Sequence, residues 1–173
     1  MAESKRKDTY ANIAYLSQVE SAANTLTFKT LSIATSSLLD KKFGLLINRC
    51  DLEFSAPNIF DTSMDFFQTA LTVSDSIADL GLSRPEVILR QVWRRVDFGA
   101  AASGAVVEYP IVRDFSTMPG GGILVPADRL YIGVLGSGCS AAGTGIIRIY
   151  YTVVELNSED YWQLVESRRI LST

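Results

Sequence analysis

The sequence predicts an all-β fold, an antiparallel sandwich that closes with one short C-terminal helix. Three observations predict it. Segments rich in Thr and in β-branched or aromatic residues recur from residue 25 to residue 156. Connections holding Gly, Pro and Ser separate them. None of the gaps after residue 60 has room for a crossover helix of any size, which disfavours a parallel sheet and favours antiparallel pairing.

Eight segments read as strands. Segment 25–34 (TLTFKTLSIA) suits a pleated, half-buried surface. In 43–54 (FGLLINRCDLEF) parity places Leu46, Cys50, Leu52 and Phe54 on one face, and Arg49, Asp51 and Glu53 on the other. Segment 65–74 sets Phe67, Thr69, Leu71 and Val73 in register. Segment 86–97 interleaves three arginines with apolar residues, so one of its faces is polar. Segment 105–113 contains Pro110, which marks an edge, a bulge or a strand end. Segment 122–126 is short and ends in Pro126, and 129–136 alternates Leu130, Ile132 and Val134 against Tyr131, Gly133 and Leu135. Segment 145–156 is the longest, with Ile147, Ile149, Tyr151 and Val153 on one face.

The last 17 positions, 157–173, carry a helix signal. Asn157 or Ser158 can cap it, Glu159 and Asp160 sit at its positive end, and Arg168 and Arg169 sit in its last turn. Its apolar side, Tyr161, Trp162, Leu164 and Val165, is expected either on the domain or on a neighbouring subunit. At the other end, residues 1–10 read as an arm, with Lys5, Arg6 and Lys7 among Glu3 and Asp8 and no apolar anchor. Residues 11–23 fit a short helix through Ala and Gln, or a strand through the alternation of Ile13, Tyr15, Ser17 and Val19. The expected layout is therefore an arm and lead-in over 1–24, a sandwich over 25–156 and a helix over 157–173.

The composition narrows the chemistry. The chain has 173 residues and a net charge of −3, with no histidine. That length suits one domain able to bury about 70% of the surface its unfolded form exposes. The acidic balance argues against a whole-chain nucleic-acid binder. Without histidine there is no His-based acid–base chemistry, no Ser-His-Asp or Cys-His nucleophile, and almost no route to a catalytic zinc site. Cys50 and Cys139 stand 89 positions apart, in no metal-binding spacing, and read as buried thiols of a reducing cytoplasm; whether they pair is left open by spacing. No run of residues approaches the roughly 20 apolar positions of a membrane-spanning helix.

Eight antiparallel strands between an arm and a helix resemble the single jelly roll of small viral coat proteins. The closing block LVPADRLYIGVLGSGCSAAGTGIIRIYYTVVEL carries the likeness furthest, with its Pro-Ala-Asp turn and its small-residue loop at 136–145 before a long final strand. The resemblance implies a structural protein without cofactor, made in the host cytoplasm and resident in the virion. Its partners would be copies of itself and other virion proteins. Tyr161, Trp162, Leu164 and Val165 would contribute to its contacts. Coat proteins that package naked nucleic acid resemble one another in long basic arms, and here the arm of residues 1–10 holds only Lys5, Arg6 and Lys7 against two acids. Contact with nucleic acid is then weak or indirect, through another protein, a membrane beneath the shell, or an inner patch of Arg90, Arg94 and Arg95 around Trp93. The alternative for that segment is a solvated strand face. Jelly rolls also build trimeric modules that bind a receptor or glycan, the second reading of the chain; cupins, which hold metal with histidine, do not fit.

Other motifs are better read as structure. Gly120-Gly121-Gly122 lacks the Gly-Lys-Ser/Thr ending and the helix of a phosphate loop. Asp61, Asp65, Asp75 and Asp79 have no calcium-loop spacing, and Asp51 with Glu53 reads as two charges on a solvated face rather than a glycosidase pair.

Overall fold

The computed structural model describes residues 12–31, 42–55, 60, 65–97, 104–105, 111–126 and 130–170. Their strands are β1 (Asn12–Val19), β2 (Thr27–Thr30), β3 (Lys42–Ser55), β4 (Phe66–Thr72), β5 (Val87–Arg94), β6 (Val96–Asp97), β7 (Gly104–Ala105), β8 (Ile111–Asp114), β9 (Ile123–Pro126), β10 (Tyr131–Ser137) and β11 (Thr144–Leu156), followed by helix α1 (Ser158–Ile170). Lys5, Arg6, Lys7, Asp61, Pro110 and the side chain of Val165 lie outside the described residues.

Two antiparallel sheets face each other. The first runs β1-β11-β3, with β8 and β9 pairing successive stretches of the far side of β3; the second runs β2-β10-β4-β5. Strands β6 and β7 form a separate two-stranded ribbon. Counting β8 and β9 as one edge position, and leaving the β6–β7 ribbon aside, gives eight positions, which divide between the sheets as 1-8-3-6 and 2-7-4-5. That order is two interlocked Greek keys. The sandwich is a jelly roll.

Its first strand comes from the lead-in. Asn12–Val19 pairs along its whole length with β11, so the sandwich begins well before residue 25 and the alternation of Ile13, Tyr15 and Val19 is that of a strand. The expected count of eight survives for a different reason: β8 and β9 share one edge, Ala105 belongs instead to the β6–β7 ribbon, and β1 supplies the missing position.

A bulge re-phases β3. Register with β11 runs Arg49↔Tyr150 and then Ile47↔Tyr151, leaving Asn48 as the extra residue. Cys50, Leu52 and Phe54 point into the sandwich as parity predicts, but beyond the bulge the inward residues are Leu45 and Ile47, both fully buried. Leu46, expected on the core face, faces outward into a cluster with Val154, Leu156 and Tyr161. Parity counting assumes an unbroken pleat, and one inserted residue inverts it.

The core between the sheets is aromatic at one end. Phe54 lies 4.7 Å from Phe67, 5.6 Å from Trp93 and 5.5 Å from Phe60, centroid to centroid. Such tilted pairs add about 0.5–1.5 kcal/mol each beyond area burial. At Gly145 of the first sheet a β-carbon would strike the Thr69 hydroxyl of the second. Outside the second sheet, Ile77 and Leu80 of the 73–86 connection cover Ala70, Val87, Phe28 and Leu135.

Candidate functional site

The two outer faces of the sandwich differ. The second sheet is packed by its own 73–86 connection, whose Leu80 is fully buried against it. The outer face of the first sheet carries instead a polar network flanked by uncovered apolar side chains. Arg49 Nε donates to Asp51 Oδ1 at 2.7 Å, the Tyr150 hydroxyl donates to Asp51 Oδ2 at 3.2 Å, and the Arg49 guanidinium lies 5.0 Å over the Tyr150 ring. The bond to Asp51 holds the Arg49 pKa above its ordinary value, and a bond to Tyr150 does the same for Arg148. Asp51 is thus engaged through both oxygens and buried at 8%, whereas Glu53 is exposed, so the two are not the solvated pair the sequence suggested.

Around that network stand Ile13, Tyr15 and Val19 of β1 and Val112 of β8, exposed at 61%, 57%, 50% and 46%. The register places them on the same outward side, Ile13 beside Tyr150, Tyr15 beside Arg148 and Val112 beside Asp51.

Helix α1 lies over the far end of this face. Asn157 caps it: Asn157 Oδ1 accepts from Asp160 N at 2.7 Å while Asn157 Nδ2 donates to Asp160 Oδ2 at 2.7 Å. The four residues expected along its apolar side do not act alike. Tyr161 is buried at 6% against Leu46, Val154 and Leu156, with Leu164 packed beside it, whereas Trp162 is 54% exposed. The two rings meet edge to face at 5.7 Å, and Lys42 Nζ sits 5.3 Å from one and 5.8 Å from the other.

The arginines of the 86–97 segment do not converge. Trp93, around which they were expected, is buried in the core at 4%. Arg90 Nη1 donates to the Leu80 carbonyl at 3.5 Å and so ties down the 73–86 connection. Arg94 lies 5.5 Å over the Phe66 ring, and Arg95 Nη1 donates to the Phe60 carbonyl at 3.4 Å. Each is committed to a different local partner.

A structural latch that sequence reasoning missed joins the β1–β2 turn to the loop before β11. Glu20, buried at 4%, accepts from the backbone N–H groups of Gly136 at 2.6 Å, Gly143 at 3.0 Å and Thr25 at 3.2 Å. Asn24, at φ 62°, accepts from Cys139 N at 2.8 Å and donates to Cys139 O at 2.9 Å. Gly138, at φ 74°, packs where a β-carbon would strike the Asp65 carboxylate. The small residues of 136–145 admit these contacts within the chain. Glu20 is the only charged residue between Asp8 and Lys29, the one signal that could have singled it out.

The remaining candidates stay apart. Asp75 bonds Ser76, and Asp79 bonds Gly81 N and Arg84. Among the described residues no group of three or more His, Cys, Asp or Glu side chains gathers as a metal site, and no helix is long and apolar enough to cross a membrane. Residues 115–122 form turns that lead into strand β9 rather than a helix, which removes the phosphate-loop geometry. Cys50 and Cys139 are buried thiols with no disulfide between them. Burial, helped by the charge of Asp51, pushes the Cys50 thiol up to about 12.

No family model matches the chain, and no curated protein matches it in sequence. Among solved structures, one described as the structure of tomato aspermy virus by X-ray crystallography is similar at a TM-score of 0.45 and 12% identity, covering 86% of this chain and 80% of that one. The jelly-roll assignment rests on the strand order within this chain, not on that likeness.

Proposed function

We propose that this chain is a structural protein that assembles with copies of itself into a viral shell. One observation carries the reading. Among the described residues seven large apolar side chains are exposed, and Ile13, Tyr15, Val19, Val112 and Trp162 all belong to the outer side of the first sheet. On the second sheet the 73–86 connection covers Ala70, Val87, Phe28 and Leu135, leaving Leu82 of the connection as its exposed apolar residue, so the asymmetry marks one side of the molecule for contact with other subunits. A rigid sandwich with a polar network at the centre of such a face suits a building block. Nucleic-acid contact is weak or indirect in this reading, since Arg90, Arg94 and Arg95 each serve a local contact.

Light scattering of the purified chain, with negative-stain imaging of the same fractions, tests the proposal. Closed particles of megadalton size are expected. A stable trimer across concentration and salt would overturn the shell and favour a trimeric module binding a receptor or glycan.

A further inference from the structure

Among the described residues the two large sheets have five edge strands, and they are not protected alike. Natural sheets block their edges with charge, proline or bulges, because an open row of N–H and C=O groups is a template for another strand. Here β2 carries Lys29, β5 carries Arg90 and Arg94, β8 carries Arg113 and Asp114, and β9 ends in Pro126. Strand β1 (NIAYLSQV) has eight residues with no charge and no proline, and it pairs with β11 without a bulge.

Its backbone direction is marked by Lys29, whose Nζ donates to the Ser17 carbonyl at 3.1 Å from the opposite sheet. That carbonyl therefore points away from β11. Since successive residues of a strand alternate, the N–H and C=O of Ile13 and Tyr15 point the same way, beyond the reach of that one lysine contact. Their side chains are exposed as well.

We infer that β1 pairs antiparallel with β1 of a second copy, across a two-fold axis at Ala14, joining two first sheets edge to edge. This deepens the assembly reading and rests on it. In that register Ile13 of each copy meets Tyr15 of the other, exchanging backbone hydrogen bonds, and two Ile–Tyr pairs form on the outer face. An uncharged strand is complementary to itself, with no like charges brought opposite one another. The cations on this side stay apart: the two Lys29 ammoniums, each at its own Ser17 carbonyl, lie six residues or about 20 Å apart along the paired strands, and Arg148 on each β11 stands three strand spacings from its counterpart, about 14 Å, both beyond the screening length at physiological salt.

The test uses the full chain in sedimentation velocity. Tyr15→Pro removes an N–H that points to the edge and leaves the β1–β11 ladder intact. Its association should weaken by at least about tenfold with an unchanged melting temperature. Ile13→Lys, which touches no ladder bond, is the companion should the proline prevent folding. Ala14→Cys should give a disulfide-linked dimer on mild oxidation, because a non-hydrogen-bonded antiparallel pair brings Cα atoms to about 4.5 Å. Folded Tyr15→Pro or Ile13→Lys chains that associate as tightly as the wild type, or an assembled Ala14→Cys chain that forms no covalent dimer, would overturn the edge pairing and leave assembly standing. A wild-type chain that stays monomeric at every concentration would overturn both.

Discussion

Asn24 mimics a strand for Cys139: its side-chain amide accepts from the Cys139 N–H at 2.8 Å and donates to the Cys139 carbonyl at 2.9 Å. The residue sits at φ 62°, a conformation Asn tolerates and Ala resists. Asn24→Ala should cost about 2–4 kcal/mol, combining two lost hydrogen bonds with backbone strain. Asn24→Gly should cost less, because it loses the bonds without the strain. Urea denaturation of both variants checks the order.

Glu20 reaches the same loop by a second route. Its carboxylate serves three backbone donors, and an amide there would turn its NH2 group toward one of them. Glu20→Gln should therefore destabilise the fold by about 1–3 kcal/mol despite its matched shape. Equilibrium unfolding measures it, and hydrogen exchange at Gly136 and Gly143 should quicken in the variant.

The helix residues divide by what they cover. Tyr161→Ala should cost about 3 kcal/mol, since it uncovers Leu46, Val154 and Leu156. Trp162→Ala should leave stability within about 0.5 kcal/mol and be felt in particle formation instead. Thermal melts paired with light scattering separate the two effects.

Cys50 should behave as an inert thiol. With its pKa pushed up to about 12 and its side chain fully buried, it has almost no thiolate at pH 8. In a Cys139→Ala background, labelling by a thiol reagent should proceed no faster than unfolding exposes Cys50. Rapid labelling of the native state would refute this.

Asp79 gives the acid end of the stability profile a defined sign. Its bonds to Gly81 N and then Arg84 hold its pKa below the ordinary 3.8. The stabilisation is present above 3.8 and is lost as pH falls through the lower folded value. Asp79→Asn should thus be less stable than the wild type at neutral pH, with the gap closing in strong acid. Melting temperatures across that range read it directly.

Local chemistry made much of this molecule legible in the sequence. The capped helix, the strand-rich stretch from Thr25 to Leu156 and the absence of histidine chemistry all follow from propensity, spacing and composition, which depend on neighbours a few residues apart. Two features depended on distant parts of the chain. Leu46 faces outward only because Asn48 forms a bulge against Tyr150 and Tyr151, about a hundred residues on. Ile13–Val19 is a strand only because β11 lies beside it, since its own residues suit a helix equally well. The candidate surface shows the same division. The arginines near Trp93 were visible as charge, but their separate partners, Leu80, Phe66 and Phe60, come from other segments. The seams of the fold, Glu20 with Gly136 and Gly143, and Asn24 with Cys139, join groups more than a hundred positions apart. Periodicity does not report such contacts, because only closure of the sandwich brings their backbones within hydrogen-bond reach.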